Sequence, residues 1–158
     1  MTGKKAFADA VALITTRIAG KRIDDDLRSF LNENFPAGGE AFDDLATLCR
    51  QGIDEGWLCD REHNGVKFGR VIKPGPETSG FSVDVVQMTD VAGPYHGHPN
   101  GEIDMVIPES PAANFDGQGQ GWVVYEAGSE HYPIVSDGKA IVLYLLPEGA
   151  IDFSLTAP

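Results

Sequence analysis

His96, His98 and Glu102 stand in the order His-x-His-x3-Glu, and a further histidine, His131, closes a Gly-x-x-His unit downstream. Side chains two apart on a strand point to one face, so His96 and His98 present two imidazoles to one point with only Gly97 between them. Pro99, Asn100 and Gly101 follow, and Asn-Gly supplies the positive-φ positions of a tight hairpin turn. The spacing predicts a strand, a reversal at Asn100-Gly101, and Glu102 opening the returning strand opposite His98. Ile103, Met105 and Ile107, alternating with Asp104 and Val106, continue that strand as a largely buried one. His131 has to come from a remote strand, and Gly128 offers the turn that delivers it. Two or three imidazoles with one carboxylate suit a divalent transition metal, Fe, Mn, Ni, Co or Zn. A His-x-His pair alone fits a surface strand or a satisfied core pair equally well. Glu102 and His131 in register make it a candidate metal site.

The chain divides near residue 60. Before it, Ala6, Val11, Leu13, Ile14 and Ile18 recur at helical spacing, Asp24 to Asp26 can cap a helix from Leu27 to Phe35, and Phe42, Leu45, Leu48 and Cys49 form the stripe of a third helix. After it, glycines punctuate short runs rich in Val, Ile, Phe and Tyr, which is a β pattern. Strands are expected over 66–72, 81–89, 102–107, 121–125, 131–135, 140–146 and 151–155, with a short one at 95–98 and a loop over 108–120. The expected organisation is a three-helix segment over 1–60 packing on a β-barrel over 61–158.

At 158 residues the chain is most economically one compact unit, and its 12 basic against 24 acidic side chains argue against a nucleic-acid or anionic-membrane partner. That balance also counts against a winged-helix reading of the first 60 residues, where acidic side chains outnumber basic ones and would repel phosphate. Cys49 and Cys59 match no zinc or redox spacing, the first 20 residues lack a signal-peptide h-region, and no apolar run is long enough to span a bilayer. A cytoplasmic protein acting on a small molecule is the expectation.

The metal-ligand pattern resembles the cupin family, whose first motif is Gly-x5-His-x-His-x3,4-Glu-x6-Gly and whose second is Gly-x5-Pro-x-Gly-x2-His-x3-Asn. The family's ligands carry over onto His96, His98, Glu102 and His131. Asp90 stands at the leading glycine, Glu109 at the closing glycine, Glu126 at the proline and Val135 at the asparagine, so the ligands match better than their frame. The resemblance covers about residues 64 to 156. It implies a mainly β, cupin-like barrel of the double-stranded β-helix or jelly-roll kind, and by analogy a homodimer or higher homo-oligomer paired through edge strands.

Over its whole length the chain is similar to the 4-hydroxylaminobenzoate lyase family of nitroarene catabolism. The likeness is carried by 48–50, 56–60 and 68–74, and most specifically by Pro94-Tyr95-His96-Gly97-His98-Pro99-Asn100-Gly101-Glu102-Ile103-Asp104 and by Gly121-Trp122 onward to Gly128-Ser129-Glu130-His131-Tyr132-Pro133. The resemblance implies conversion of 4-hydroxylaminobenzoate to 3,4-dihydroxybenzoate (protocatechuate) and ammonia. In that chemistry Glu102 would be a ligand that also shuttles a proton, and Tyr95 would donate to the leaving oxygen. The substrate carboxylate needs a cation, and the barrel half offers Arg61, Lys67, Arg70, Lys73 and Lys139. Alternation puts Arg70 on the face of Phe68, so Arg70 is the first candidate and Lys73 the second, each with a solvated surface charge as the alternative. Tyr125, Tyr144, Trp122 and Phe81 are candidates to sandwich the ring, and ordinary core packing is the alternative for each. Two other readings compete: another metal-dependent cupin enzyme on a small aromatic acid, a dioxygenase or isomerase, and a non-catalytic small-molecule sensor.

Overall fold

The computed structural model describes residues 3–158. Three helices, α1 (Gly3–Ile18), α2 (Asp25–Asn34) and α3 (Glu40–Glu55), precede nine strands: β1 (Arg61–His63), β2 (Val66–Ile72), β3 (Phe81–Ala92), β4 (His96–His98), β5 (Glu102–Pro108), β6 (Asn114–Phe115), β7 (Gly121–Tyr125), β8 (Ser129–His131) and β9 (Ile134–Pro147). In α1 the buried Phe7, Val11, Ile14 and Ile18 recur every three or four residues and so share one face. Leu13, expected on that stripe, is 56% exposed, because one residue before Ile14 it turns about 100° outward. The α2 cap is as expected: Asp24 accepts from the Leu27 N–H at 3.0 Å. The described helices are too short or too polar to cross a membrane.

Seven strands form one antiparallel sheet in the order β1-β2-β3-β9-β5-β7, with β6 added on β9, while β4 and β8 pair with each other apart from it. Strand parity divides the sheet's two faces. Val83, Val85, Ile103, Met105, Ile107, Trp122, Ile141, Leu143 and Leu145 share one core with the buried faces of the three helices. Val86, Met88, Val106, Val123, Ala140, Val142 and Tyr144 form a second core on the other face, and Phe115 and Tyr125 connect it to the β4–β8 pair through ring contacts with His131 and His98. The result is the mainly β fold with a helical start that the pattern of residues indicated.

Several local expectations differ. Glu102 does not return beside His98. The turn carries the chain out of one sheet into the other, so β4 pairs with β8 while β5 pairs with β7 and β9. Only Gly101 takes a positive φ there (+89°), which makes this a sheet-switching corner and not a two-residue hairpin. The expected strands 131–135 and 140–146 are largely one long β9, bent at Asp137 (φ 60°) and Gly138 (φ 131°). Residues 151–155 make a single bridge, Asp152 to Gly97, instead of a strand, and the 108–120 loop contains β6. Asp90, at the position of the cupin leading glycine, itself adopts φ 44° at a register shift between β3 and β9, where its carboxylate accepts from the Gly138 N–H. Asp tolerates that conformation through local hydrogen bonding, so the frame survives the substitution.

Candidate metal centre

β4 presents its two histidines inward, and pairing with β8 sets His96 opposite His131 and His98 opposite Ser129. Glu102, the first residue of β5, comes in from the other sheet. One ligand atom from each of His96, His98, Glu102 and His131 lies within 4.8 Å of the others. The Nε2 atoms of His96 and His131 are 3.2 Å apart, His98 Nε2 is 3.2 Å from Glu102 Oε2, and His96 Nε2 is 3.8 Å from Glu102 Oε1. Adjacent ligands about 2.1 Å from a single ion stand roughly 3.0–3.4 Å apart, so most of these separations are of the right size.

The outer partners decide where the ring protons are. His96 Nδ1 faces the Pro94 carbonyl at 3.0 Å, which can only accept. His131 Nδ1 faces the Asp116 carboxylate at 2.7 Å, also an acceptor. His98 Nδ1 faces the Ser129 hydroxyl at 2.8 Å, and that hydroxyl is committed as donor to the Glu126 carbonyl at 2.6 Å, so it too accepts from the ring. All three imidazoles therefore carry the proton on Nδ1 and turn an Nε2 lone pair inward. Among the described residues His98 Nε2 and both Glu102 oxygens are buried without a hydrogen-bond partner, and with both rings protonated on Nδ1 the His96–His131 Nε2 contact has no proton to share. An unpaired buried carboxylate costs several kcal/mol, and a set of lone pairs converging on one is completed by a cation. The donor set fits a divalent metal ion.

The electrostatics agree. Burial lowers the His96 pKa, favouring the neutral ring, and outweighs the attraction of Glu102. Burial would raise Glu102, but the adjoining His98, Asp104 and His96 side chains hold it below the usual carboxylate value. Asp104, two residues along on the same face, is pushed well up by burial and by the Glu102 charge. Its two oxygens are also unpartnered. Tyr144 lies in register with both Asp84 and Asp104, and burial raises its phenol.

The other candidates are placed unevenly. Tyr125 packs against His98 and His131 (ring centroids 5.3 and 4.6 Å) and donates its hydroxyl to Asp116. Tyr95 donates to Glu130 at 2.8 Å and meets Tyr132 edge-on, so its hydroxyl is engaged at the rim and not with the four ligands. Arg70 pairs with Asp84 at 2.8 Å and donates to the Gly149 carbonyl, leaving one guanidinium nitrogen uncommitted. Lys73 is exposed on the turn after β2. Trp122 and Phe81 belong to the helix-side core, away from the site. Residue types and spacing did not single out Asp104, Ser129 or Asp116. The alternation Glu102-x-Asp104 was the available signal for the first, whereas Asn-Phe-Asp-Gly at 114–117 reads as an ordinary turn.

Comparison with known proteins decides the family. The sequence pattern of the 4-hydroxylaminobenzoate lyases (PnbB) matches residues 9–153. The chain belongs to the 4-hydroxylaminobenzoate lyase family. A 4-hydroxylaminobenzoate lyase of Nocardioides sp. (strain LMS-CY) is 32% identical, with 100% of this chain and 99% of that protein covered. One of Pseudomonas putida is 33% identical over 89% of this chain and 90% of that protein. Among solved structures, a Ralstonia eutropha protein of unknown function with a cupin-like fold aligns at a TM-score of 0.44 and 19% identity, covering 60% of this chain and 66% of that one. Membership makes the chain a lyase. The His and Glu cluster of this lyase lies where the β4–β8 pair meets the seven-stranded sheet.

Proposed function

We propose that this lyase converts 4-hydroxylaminobenzoate to 3,4-dihydroxybenzoate and ammonia, using a divalent transition metal held by His96, His98, Glu102 and His131. The supporting observation is the convergence of three lone pairs and an unpartnered buried carboxylate, in a chain aligned from end to end with lyases named for that substrate. The conversion takes up one water and releases one ammonia, with no external oxidant or reductant. The N–O bond breaks as its oxygen leaves protonated, and water adds to the ring carbon beside the C–N bond. The resulting imine takes a second water and expels ammonia, and loss of the ring proton restores aromaticity.

A bound divalent ion supplies Lewis acidity, which lowers the pKa of water and of the hydroxylamine oxygen. The remaining work falls to the chain. Glu102, held in its basic form, accepts a proton from water at the site. Asp104, buried beside Glu102 with its carboxyl pushed well up, holds a proton for the leaving hydroxylamine oxygen. The Tyr125 ring, fixed against two imidazoles, provides a flat apolar wall for the arene. Arg70, in the same cross-strand row as Asp84, Tyr144 and Asp104, takes the carboxylate with the nitrogen that Asp84 leaves free. The test is an assay of purified protein with 4-hydroxylaminobenzoate under argon. Equal amounts of ammonia and 3,4-dihydroxybenzoate, lost on chelation and restored by one divalent ion, support the proposal. Product from fully metal-free protein refutes the metal's part, and a requirement for oxygen replaces the reading with a dioxygenase.

A further inference from the structure

Of the three imidazoles, His131 alone is oriented by an ionisable side chain from a distant loop. Asp116 follows β6 at φ 51°, and its backbone N–H donates to the Ile134 carbonyl at 2.8 Å. Its Oδ1 accepts from the Ile134 N–H at 2.9 Å, so the carboxylate is pinned to the start of β9 and cannot rotate freely. Its Oδ2 takes two donors, His131 Nδ1–H at 2.7 Å and the Tyr125 hydroxyl. The carboxylate is thus an acceptor on all sides, and His131 can meet it only by placing its proton on Nδ1.

We propose that Asp116 is the positioning residue of this centre: it locks His131 in the Nδ1–H tautomer and aims the Nε2 lone pair at the point shared with His96, His98 and Glu102. The inference rests on the metal reading above, but the tautomer itself can be observed without a metal. Tyr125 is coupled to the same oxygen, so Asp116 ties the apolar wall of the site to its most solvent-accessible ligand. His131 is the only one of the four ligands that is not fully buried, and free imidazole side chains favour Nε2–H. Here the tautomer most needs an outside constraint.

Asn at 116 keeps the shape and tolerates the left-handed backbone, but one of its two terminal groups becomes a donor. Turned toward Ile134 it opposes an N–H; turned toward His131 it opposes both Nδ1–H and the Tyr125 hydroxyl and moves the ring proton to Nε2, the ligating atom. The experiment is long-range 1H–15N NMR of the histidine rings in the metal-free protein at pH 8, followed by Co(II) titration with its visible spectrum. Wild type is expected to show His131 as Nδ1–H. D116N should populate Nε2–H and bind Co(II) about 10–100-fold more weakly, with D116E recovering part of the loss. Y125F removes a second donor from the oxygen but leaves the acceptor, so its His131 stays Nδ1–H. An Nε2–H tautomer in wild type, no change in D116N, or a Y125F effect equal to that of D116N overturns the proposal. If D116N does not fold, the wild-type and Y125F spectra still decide. Wild type with the Nδ1–H tautomer but no affinity for Co(II) sinks the metal reading while leaving the tautomer assignment intact.

Discussion

Gly101 carries the chain from the β4–β8 pair into the seven-stranded sheet, and replacing it with Ala tests whether that corner is what delivers Glu102. Its φ of +89° disfavours any side chain, and a Cβ there would lie 2.7 Å from Ile23 Cγ2, 3.0 Å from Ile23 Cβ and 3.0 Å from the Tyr125 carbonyl oxygen. The left-handed backbone costs roughly 1–2 kcal/mol. The steric conflict adds about 1–3 kcal/mol, because Ile23 is β-branched and the carbonyl belongs to a strand, so neither yields easily. A total of about 2–5 kcal/mol corresponds to a fall in Tm of roughly 4–20 °C for a chain of this size. Gly65 supplies the control: it has φ +80° in the β1–β2 turn with nothing within 4 Å of its Cβ position, so G65A should show the backbone cost alone. Urea unfolding followed by far-UV circular dichroism measures both. In the folded fraction, G101A should also bind Co(II) more weakly than G65A, since the displaced corner is directly bonded to Glu102. Equal destabilisation by the two variants refutes the steric argument, and unchanged Co(II) affinity in G101A refutes the claim that this corner positions the ligand.

Three further outcomes are expected. Protein purified without chelator should carry about one divalent ion per chain, and stripping it should lower Tm by roughly 5–11 °C, the equivalent of about 2.7 kcal/mol for a ligand held at a hundred times its Kd; calorimetry with and without metal measures this. Turnover in 18O-water should label both ring hydroxyls of the product by mass spectrometry, whereas a single label would mean that the hydroxylamine oxygen is transferred to the ring. Burial raises the Asp84 pKa against the pull of Arg70, so the folded state binds its proton more tightly than the unfolded chain, and the associated stability is present at low pH and lost as pH rises through the folded pKa. The stability of D84N relative to wild type should therefore be greater at pH 7 than near pH 4 in urea unfolding. A pH-independent difference counts against that assignment.

The ligand set was legible because spacing on a strand is geometry: His96 and His98 share a face whatever β4 pairs with. What β4 pairs with was not legible, since Asn-Gly encodes a sharp turn but not whether the chain leaves its sheet there, and that outcome depends on β8 closing across Gly97. The helical stripes were readable except at Leu13, where apolar character alone placed an outward residue inside. Trp122 and Tyr125 show the other limit. Both are aromatic and on one short strand, yet their odd separation sends one to the helices and the other to the site, which becomes visible only when the strand's register is fixed. Asp116 was hidden because its role comes from β9 and β8 folding back over a turn whose sequence is unexceptional.

The helices are therefore more than a cover for one face. β7 is an edge of the seven-stranded sheet, and an edge strand exposes unpaired backbone groups. Asn32 of α2 meets them at Trp122, accepting from its N–H at 3.0 Å and donating to its carbonyl at 3.1 Å, as one rung of a neighbouring strand would. The Trp122 indole N–H donates to the Phe35 carbonyl at 2.9 Å, and Arg28 reaches Gln118 at 2.9 Å. These bonds hold the segment from Gln118 to Trp122. Asp116 lies two residues before that segment and Tyr125 three residues after it, the two groups that meet His131. Because α2 holds this segment at both ends and β9 holds the Asp116 turn just before it, the position of the most accessible ligand is set by packing on both faces of the sheet. A change in α2 that spares the core, such as R28A, should therefore loosen Co(II) binding more than it lowers Tm, whereas an equal loss in both would mean that α2 contributes stability alone.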